Sequence, residues 1–248
     1  MRSRILNTLS LLGCIFAVAV CGSVACATTV STDDFNYPDG PLRGQGTPPW
    51  ENHSGTNDTL LVSSGAAVVS EDSGSEDLHK LFDAGASFAG GVVTASFDIV
   101  VTAPSPITSN SSDEYFAHFW QSANPNNFRA RTFVHAPTAG GDYTLSISTL
   151  SSSVSTDLPT DFSFGATVPV SISFDITAGT SSLTAGGNTV YDLTSSTGQI
   201  IDAFALRQSN SGSDETIRVD NLVVTHVPEP TSIAMLLGCL GMLTIRRR

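Results

Sequence analysis

The feature that most constrains this chain is a two-residue alternation of apolar and polar side chains, repeated in separate windows along its middle. Between Val92 and Val101, the apolar set Val93, Ala95, Phe97, Ile99 and Val101 alternates with Thr94, Ser96 and Asp98. Between Val168 and Ile176, Val168, Val170, Ile172, Phe174 and Ile176 alternate with Ser171, Ser173 and Asp175. Tyr143, Leu145 and Ile147 alternate with Thr144, Ser146 and Ser148. Successive side chains of a strand point to opposite faces, so each window predicts a strand with one buried face. Further candidates lie at 59–62, 66–69, 78–82, 115–121, 128–134, 189–193 and 200–207, and Ile217, Val219 and Leu222 to Thr225 form a last one. Gly90-Gly91, Pro104-Ser105-Pro106, Asn124-Pro125-Asn126-Asn127, Gly140-Gly141-Asp142 and Gly186-Gly187-Asn188 punctuate them as turns. No window carries a convincing helical period, and no 20–50-residue repeat is visible, which argues against a propeller or solenoid. The expectation is an all-β fold, an antiparallel two-sheet β-sandwich of the jelly-roll kind.

The scarcity of charge supports this, since only 14% of the 248 residues are Asp, Glu, Lys or Arg. What charge there is lies unevenly. Arg2 and Arg4 sit at the start and Arg246, Arg247 and Arg248 at the end, so the middle holds 22 acids against six bases (Arg43, Lys80, Arg129, Arg131, Arg207, Arg218). A surface this negative repels nucleic acid, which is excluded as a partner. Cysteine is as uneven: Cys14, Cys21, Cys26 and Cys239 all fall in the terminal segments. The middle therefore folds without disulfides and has neither a Cys-ligated metal nor a Cys nucleophile.

The two ends have their own logic. Residues 1–27 combine Arg2 and Arg4, an apolar run from Ile5 to Val20, and Ala25-Cys26-Ala27. That order is a secretory signal, with Ala25 and Ala27 as the small residues before a signal-peptidase cut and Thr28 as the first mature residue. At the other end, residues 227–248 run Val227-Pro228-Glu229-Pro230, then an apolar stretch from Ile233 to Ile245, then three arginines. The prolines enforce a stiff, extended entry. The apolar stretch enters a bilayer, with the arginines held on the cytoplasmic side. As a short membrane helix it spans only about 20 Å of a roughly 30 Å hydrocarbon core, so the arginines must snorkel.

This C-terminal order resembles the PEP-CTERM sorting signal of bacterial exported proteins. The resemblance covers about the last 22 residues and implies that Pro228, Glu229 and Pro230 are recognised by an exosortase-type sorting enzyme. It also implies a membrane-anchored intermediate on the way to the cell surface or an exopolysaccharide matrix. Between the ends, residues 28–226 make the β-sandwich domain. Its opening, Asp33-Asp34-Phe35-Asn36-Tyr37-Pro38-Asp39-Gly40-Pro41-Leu42, and its close, Ile217-Arg218-Val219-Asp220-Asn221-Leu222-Val223-Val224, resemble concanavalin A-like (laminin-G-like) jelly rolls. In such folds the first and last strands often pair.

Three chemistries are open to the domain. If the terminal strands are neighbours, Asp33, Asp34, Asp220 and Asn221 converge as oxygen ligands for a structural calcium ion; the alternative is that they cap turns and strand ends. Simple alternation puts Phe116, His118 and Trp120 on one side of a strand, followed by Phe128, Arg129 and Arg131. Trp120, His118 and Arg131 are thus candidates for stacking on and hydrogen-bonding to a sugar, against the alternative that the aromatics fill the core. Trp50, after Pro48-Pro49, is expected as a loop anchor. For catalysis the acids show no diagnostic spacing, and neither a His-Glu-x-x-His helix nor a Gly-x-Ser-x-Gly elbow occurs. The expectation is an exported, non-catalytic surface or matrix protein that binds extracellular polysaccharide. The rival is a secreted polysaccharide-acting hydrolase or lyase on the same fold.

Overall fold

The computed structural model of the protein describes residues 25–70, 74–108, 110, 115–150, 154–209 and 215–229. The expected signal peptide up to Val24, Pro230 and the expected membrane helix lie outside the described residues. No helix among the described residues is long and apolar enough to cross a membrane. Residues Ala25–Glu229 form one compact unit.

In chain order the strands are β1 (Thr28–Asp33), β2 (Gly40–Pro41), β3 (Trp50–Ser54), β4 (Leu61–Ser63), β5 (Ala66–Ser70), β6 (Asp77–Leu81), β7 (Val92–Thr102) and β8 (Tyr115–Trp120). They continue with β9 (Arg129–His135), β10 (Tyr143–Ser148), β11 (Thr156–Phe162), β12 (Thr167–Asp175), β13 (Thr180–Ala185), β14 (Asn188–Asp192), β15 (Ala203–Arg207) and β16 (Thr216–Val227). One sheet runs β14-β13-β12-β7-β16-β5-β4-β2, with β1 also paired to β16; the other runs β11-β10-β9-β8-β15-β6-β3. The described pairings of these strands are antiparallel, and the two sheets form the expected sandwich.

The alternation explains the packing. Val93, Ala95, Phe97, Ile99 and Val101 of β7 are buried, as are Val170, Ile172 and Phe174 of β12. They join one core with Phe116, Phe119, Val134, Leu145, Ile147, Phe204 and Leu206 of the opposite sheet. Phe97 sits edge-on to Phe116 at 6.3 Å and near Phe204 at 5.7 Å. The intervening Thr94 and Ser173 bond to each other at 2.8 Å on the outer face of their sheet.

First and last strands do pair. Asp33 lies opposite Leu222 and Thr28 opposite His226. A bulge between Asp220 and Val223, with Asn221 at φ 55°, divides β16 into two arms. The first arm pairs with β5 and the second with β1, while β7 lines both.

Candidate functional site

The calcium candidates come together only in part, and their polar groups already have partners within the protein. Asp33 turns inward and is saturated: Oδ1 accepts Phe35 N–H at 2.9 Å, and Oδ2 accepts the Tyr37 hydroxyl and Trp50 Nε1–H, each at 2.9 Å. The Lys80 ammonium lies 3.3 Å from the same Oδ2, with both side chains buried. Lys80 also donates to Pro48 O at 2.9 Å. A cation therefore already stands against Asp33, and it belongs to the protein. Asp33, Asp34, Lys80 and Asn221 line a cleft of about 410 Å³, whereas Asp220 lines another of about 300 Å³ with Asp98 and Arg218, and Asn221 stands at both. Asp34 accepts Asn36 N–H, Asp220 accepts Asn221 N–H, and Asn221 Nδ2 donates to Asp98. These are the turn and strand-end roles of Asp and Asn. Among the described residues, no group of three or more His, Cys, Asp or Glu is placed to hold a metal ion. Trp50 opens β3 and is wholly buried, so it is a core residue and not a loop anchor.

The aromatic candidates do come together, with a changed membership. Register shifts on both sides of Ala117 break the simple alternation of β8. Phe116 and Phe119 enter the core, while Tyr115, His118 and Trp120 share the opposite face. There Trp120 stacks on His53 at 4.5 Å and lies 4.3 Å from His79. His118 sits 5.1 Å from Phe128 and 5.3 Å from Tyr115. Arg131 covers the Tyr115 and Phe128 rings at 4.9 and 5.2 Å, and Arg207 covers Tyr115 at 4.3 Å. Small residues make the room: Ala203 and Ala205 of β15 lie opposite Trp120 and His118 and pack beneath the indole. Trp120 is anchored by Nε1–H to Pro125 O at 3.2 Å.

Burial divides the cluster into a floor and an upper part. His118 and Trp120 are buried, while His53, Phe128, Arg129 and Arg131 keep part of their surface in solvent. The Trp120 ring is thus not the outermost platform: His53 stacks on it, and Phe128 with Arg131 over its ring keeps more surface in solvent. Both ring nitrogens of His53 and His118, and Nδ1 of His79, have no hydrogen-bond partner. Burial, then repulsion from His79 and Arg207, pushes His53 down to about 3. Burial, then His53 and the arginines, takes His118 well below its ordinary value. All three are neutral near pH 7, which suits hydrogen bonding and ill suits proton transfer. His53, His79 and Arg207 were not legible as site residues, since they come from β3, β6 and β15, which only the folded sheet brings together.

No family model matches the sequence, and no curated protein matches it. Among solved structures, a sialidase aligns over 79% of this chain at 11% identity with a TM-score of 0.52. The chain spans only 18% of that sialidase. The carbohydrate recognition domain of Emp47p aligns over 80% of this chain and 95% of its own, at 11% identity and TM-score 0.46. Lectin I from Ulex europaeus, in complex with the methyl glycoside of α-L-fucose, aligns over 82% and 98%, at 10% identity and TM-score 0.47. At such identities the likeness is one of fold, the antiparallel sandwich.

Proposed function

We propose that this is an exported, non-catalytic protein that holds extracellular polysaccharide on the aromatic face of its seven-stranded sheet. In this reading its C-terminal Pro228-Glu229-Pro230 segment sorts it, by way of a signal peptidase and an exosortase-type enzyme, to the cell surface or matrix. The observation that carries the binding reading is segregation. In a strongly acidic domain, Arg129, Arg131 and Arg207 gather on one face with His53, His79, His118, Tyr115, Trp120 and Phe128. Rings stack on the CH faces of sugars, and guanidinium and imidazole groups bond to their hydroxyls or carboxylates. The named carbohydrate partners of the structural neighbours are in keeping with this reading but do not carry it.

Glycan-array binding by the purified protein tests it. Phe128→Ala and Arg131→Ala, which alter the solvent-facing part of the cluster, are each expected to weaken binding about tenfold. Trp120→Ala removes the floor, so its effect should appear first in stability. If the wild type binds no glycan, the binding reading fails. One observation favours the enzyme alternative: His135 Nδ1 lies 2.8 Å from the Asp157 carboxylate, a histidine–carboxylate pair of the kind general bases use. Turnover of any polysaccharide, abolished in His135→Ala, would replace a binding protein with an enzyme.

A further inference from the structure

The sorting segment leaves the sandwich at a place built to hold it. The chain exits β16 at Val227 and passes directly over the Gly90-Gly91 turn that opens β7. Gly91 has φ +81°, and a Cβ there would stand 2.3 Å from Val227 O and 3.1 Å from the Pro228 Cα. Only glycine permits both that backbone and that approach. The neighbouring His226 ring stacks on Phe88 at 3.7 Å, and its Nε2 lies 2.9 Å from Gly90 O. The Glu229 carboxylate then accepts the Thr177 hydroxyl and, at 3.4 Å, Gly91 N–H. The same amide also donates to Thr177 Oγ1 at 3.2 Å. Asp175 Oδ1, which accepts Thr177 N–H at 3.0 Å, and the Ile176 N–H bond to Gly91 O at 2.9 Å hold this small donor pair through bonds that do not involve Glu229.

We infer that Gly91 and Thr177 form an intramolecular receptor for the Glu229 carboxylate, and that it competes with whatever recognises the sorting segment. This rests on the sorting reading proposed above and adds its control. The motif acid is engaged while the β7–β16 seam is intact, and recognition must first release it. Glu229 and Pro228 are exposed, so the control is competition for a carboxylate and not concealment.

The test uses the full chain with Thr177→Val, which removes the donor at nearly constant volume, and Thr177→Ser, which restores it. Thr184→Val, which deletes a surface hydroxyl on β13, is the control. The first probe is an antibody fragment raised against the peptide Val-Pro-Glu-Pro-Thr-Ser. Its affinity for the folded protein should rise about tenfold in Thr177→Val and return to wild type in Thr177→Ser. Equal affinity in all four proteins would overturn the receptor. The second measurement is loss of the C-terminal segment in cells that carry the sorting enzyme, expected to be several-fold faster in Thr177→Val. Equal rates, with the antibody difference present, would overturn the control while leaving the sorting reading intact. If no protein is processed, the sorting reading falls and the control with it.

Discussion

At Asp33, one carboxylate collects a backbone amide, a phenol, an indole and an ammonium. Glu76 does the same with the amides of Asp58, Thr59 and Leu60, at 2.7 to 2.9 Å. Asp161 accepts the amides of Thr138, Ala139 and Gly141, and these bonds draw its pKa down to about 2. Much of the acidity that first suggests cations is therefore spent on pinning loops, each by charge-assisted hydrogen bonds. Adding calcium or a chelator is expected to leave Tm unchanged; a calcium-dependent rise would show a cation site after all. The Tyr143 hydroxyl, fully buried and without a partner, is the opposite case. Tyr143→Phe should stabilise the protein by about 1 kcal/mol in urea titration, because it removes an unpaid desolvation. The histidine cluster sets a pH dependence. Half-buried His53 and buried His118 and His79 bind protons less readily than in the unfolded chain, whose ordinary value is 6.5. Their contribution is fully present above that value and is lost as pH falls below it, for His53 down to about 3, with a slope of up to about 1.4 kcal/mol per pH unit for each group. Asp77, raised to about 6 by burial, works against this by favouring the fold at the acid end. Urea midpoints should fall across this window in the wild type and fall less in His118→Phe.

The strands differ in how plainly they announce themselves. β7 and β12 lie side by side in the interior of their sheet and bury one face each, so their alternation is complete and was readable. β11, at the edge of the other sheet, carries Pro159 and mostly polar side chains, so its segment gave no signal. An edge strand tolerates a proline because one side of its ladder is empty. β13 reads Thr-Ser-Ser-Leu-Thr-Ala and β3 reads Trp-Glu-Asn-His-Ser, and neither holds enough apolar residues to show a period. The bulge in β8 was equally silent, and it decides which aromatics meet the site. Trp120, His118 and Arg131 were within reach of sequence reasoning because they are close in the chain; their partners on three other strands were not. One tie between elements was also invisible. The Asp33–Lys80 pair joins β1 of one sheet to β6 of the other across the core. Lys80→Met is expected to cost about 3–5 kcal/mol in chemical denaturation, because it strands a buried carboxylate. A loss below 1 kcal/mol would mean that Trp50, Tyr37 and the Phe35 amide satisfy that charge unaided.

Over the whole molecule, pairings between distant parts of the chain dominate. β1 closes on β16, β6 on β15, and β5 on β16. Such a topology folds slowly, in milliseconds to seconds, because large loops must close before their contacts form. Stopped-flow refolding should fall in that range, and a microsecond phase accounting for the full signal would contradict it.

The pairing of Thr28 with His226 has a mechanical side. The start of β1 and the end of β16 stand next to each other at the same end of an antiparallel ladder. A load that separates them opens β1 from β16 one hydrogen bond at a time, as a zipper, and the bonds never share the force. A load taken between β16 and the seven-stranded sheet meets a different geometry, because β16 is flanked by β7 along its length and by β5 and β1 on its other side. A protein tethered at its C-terminal side and pulled through its sheet face is thus loaded along its strong direction, and its weak seam is strained only by a pull on its own N-terminus.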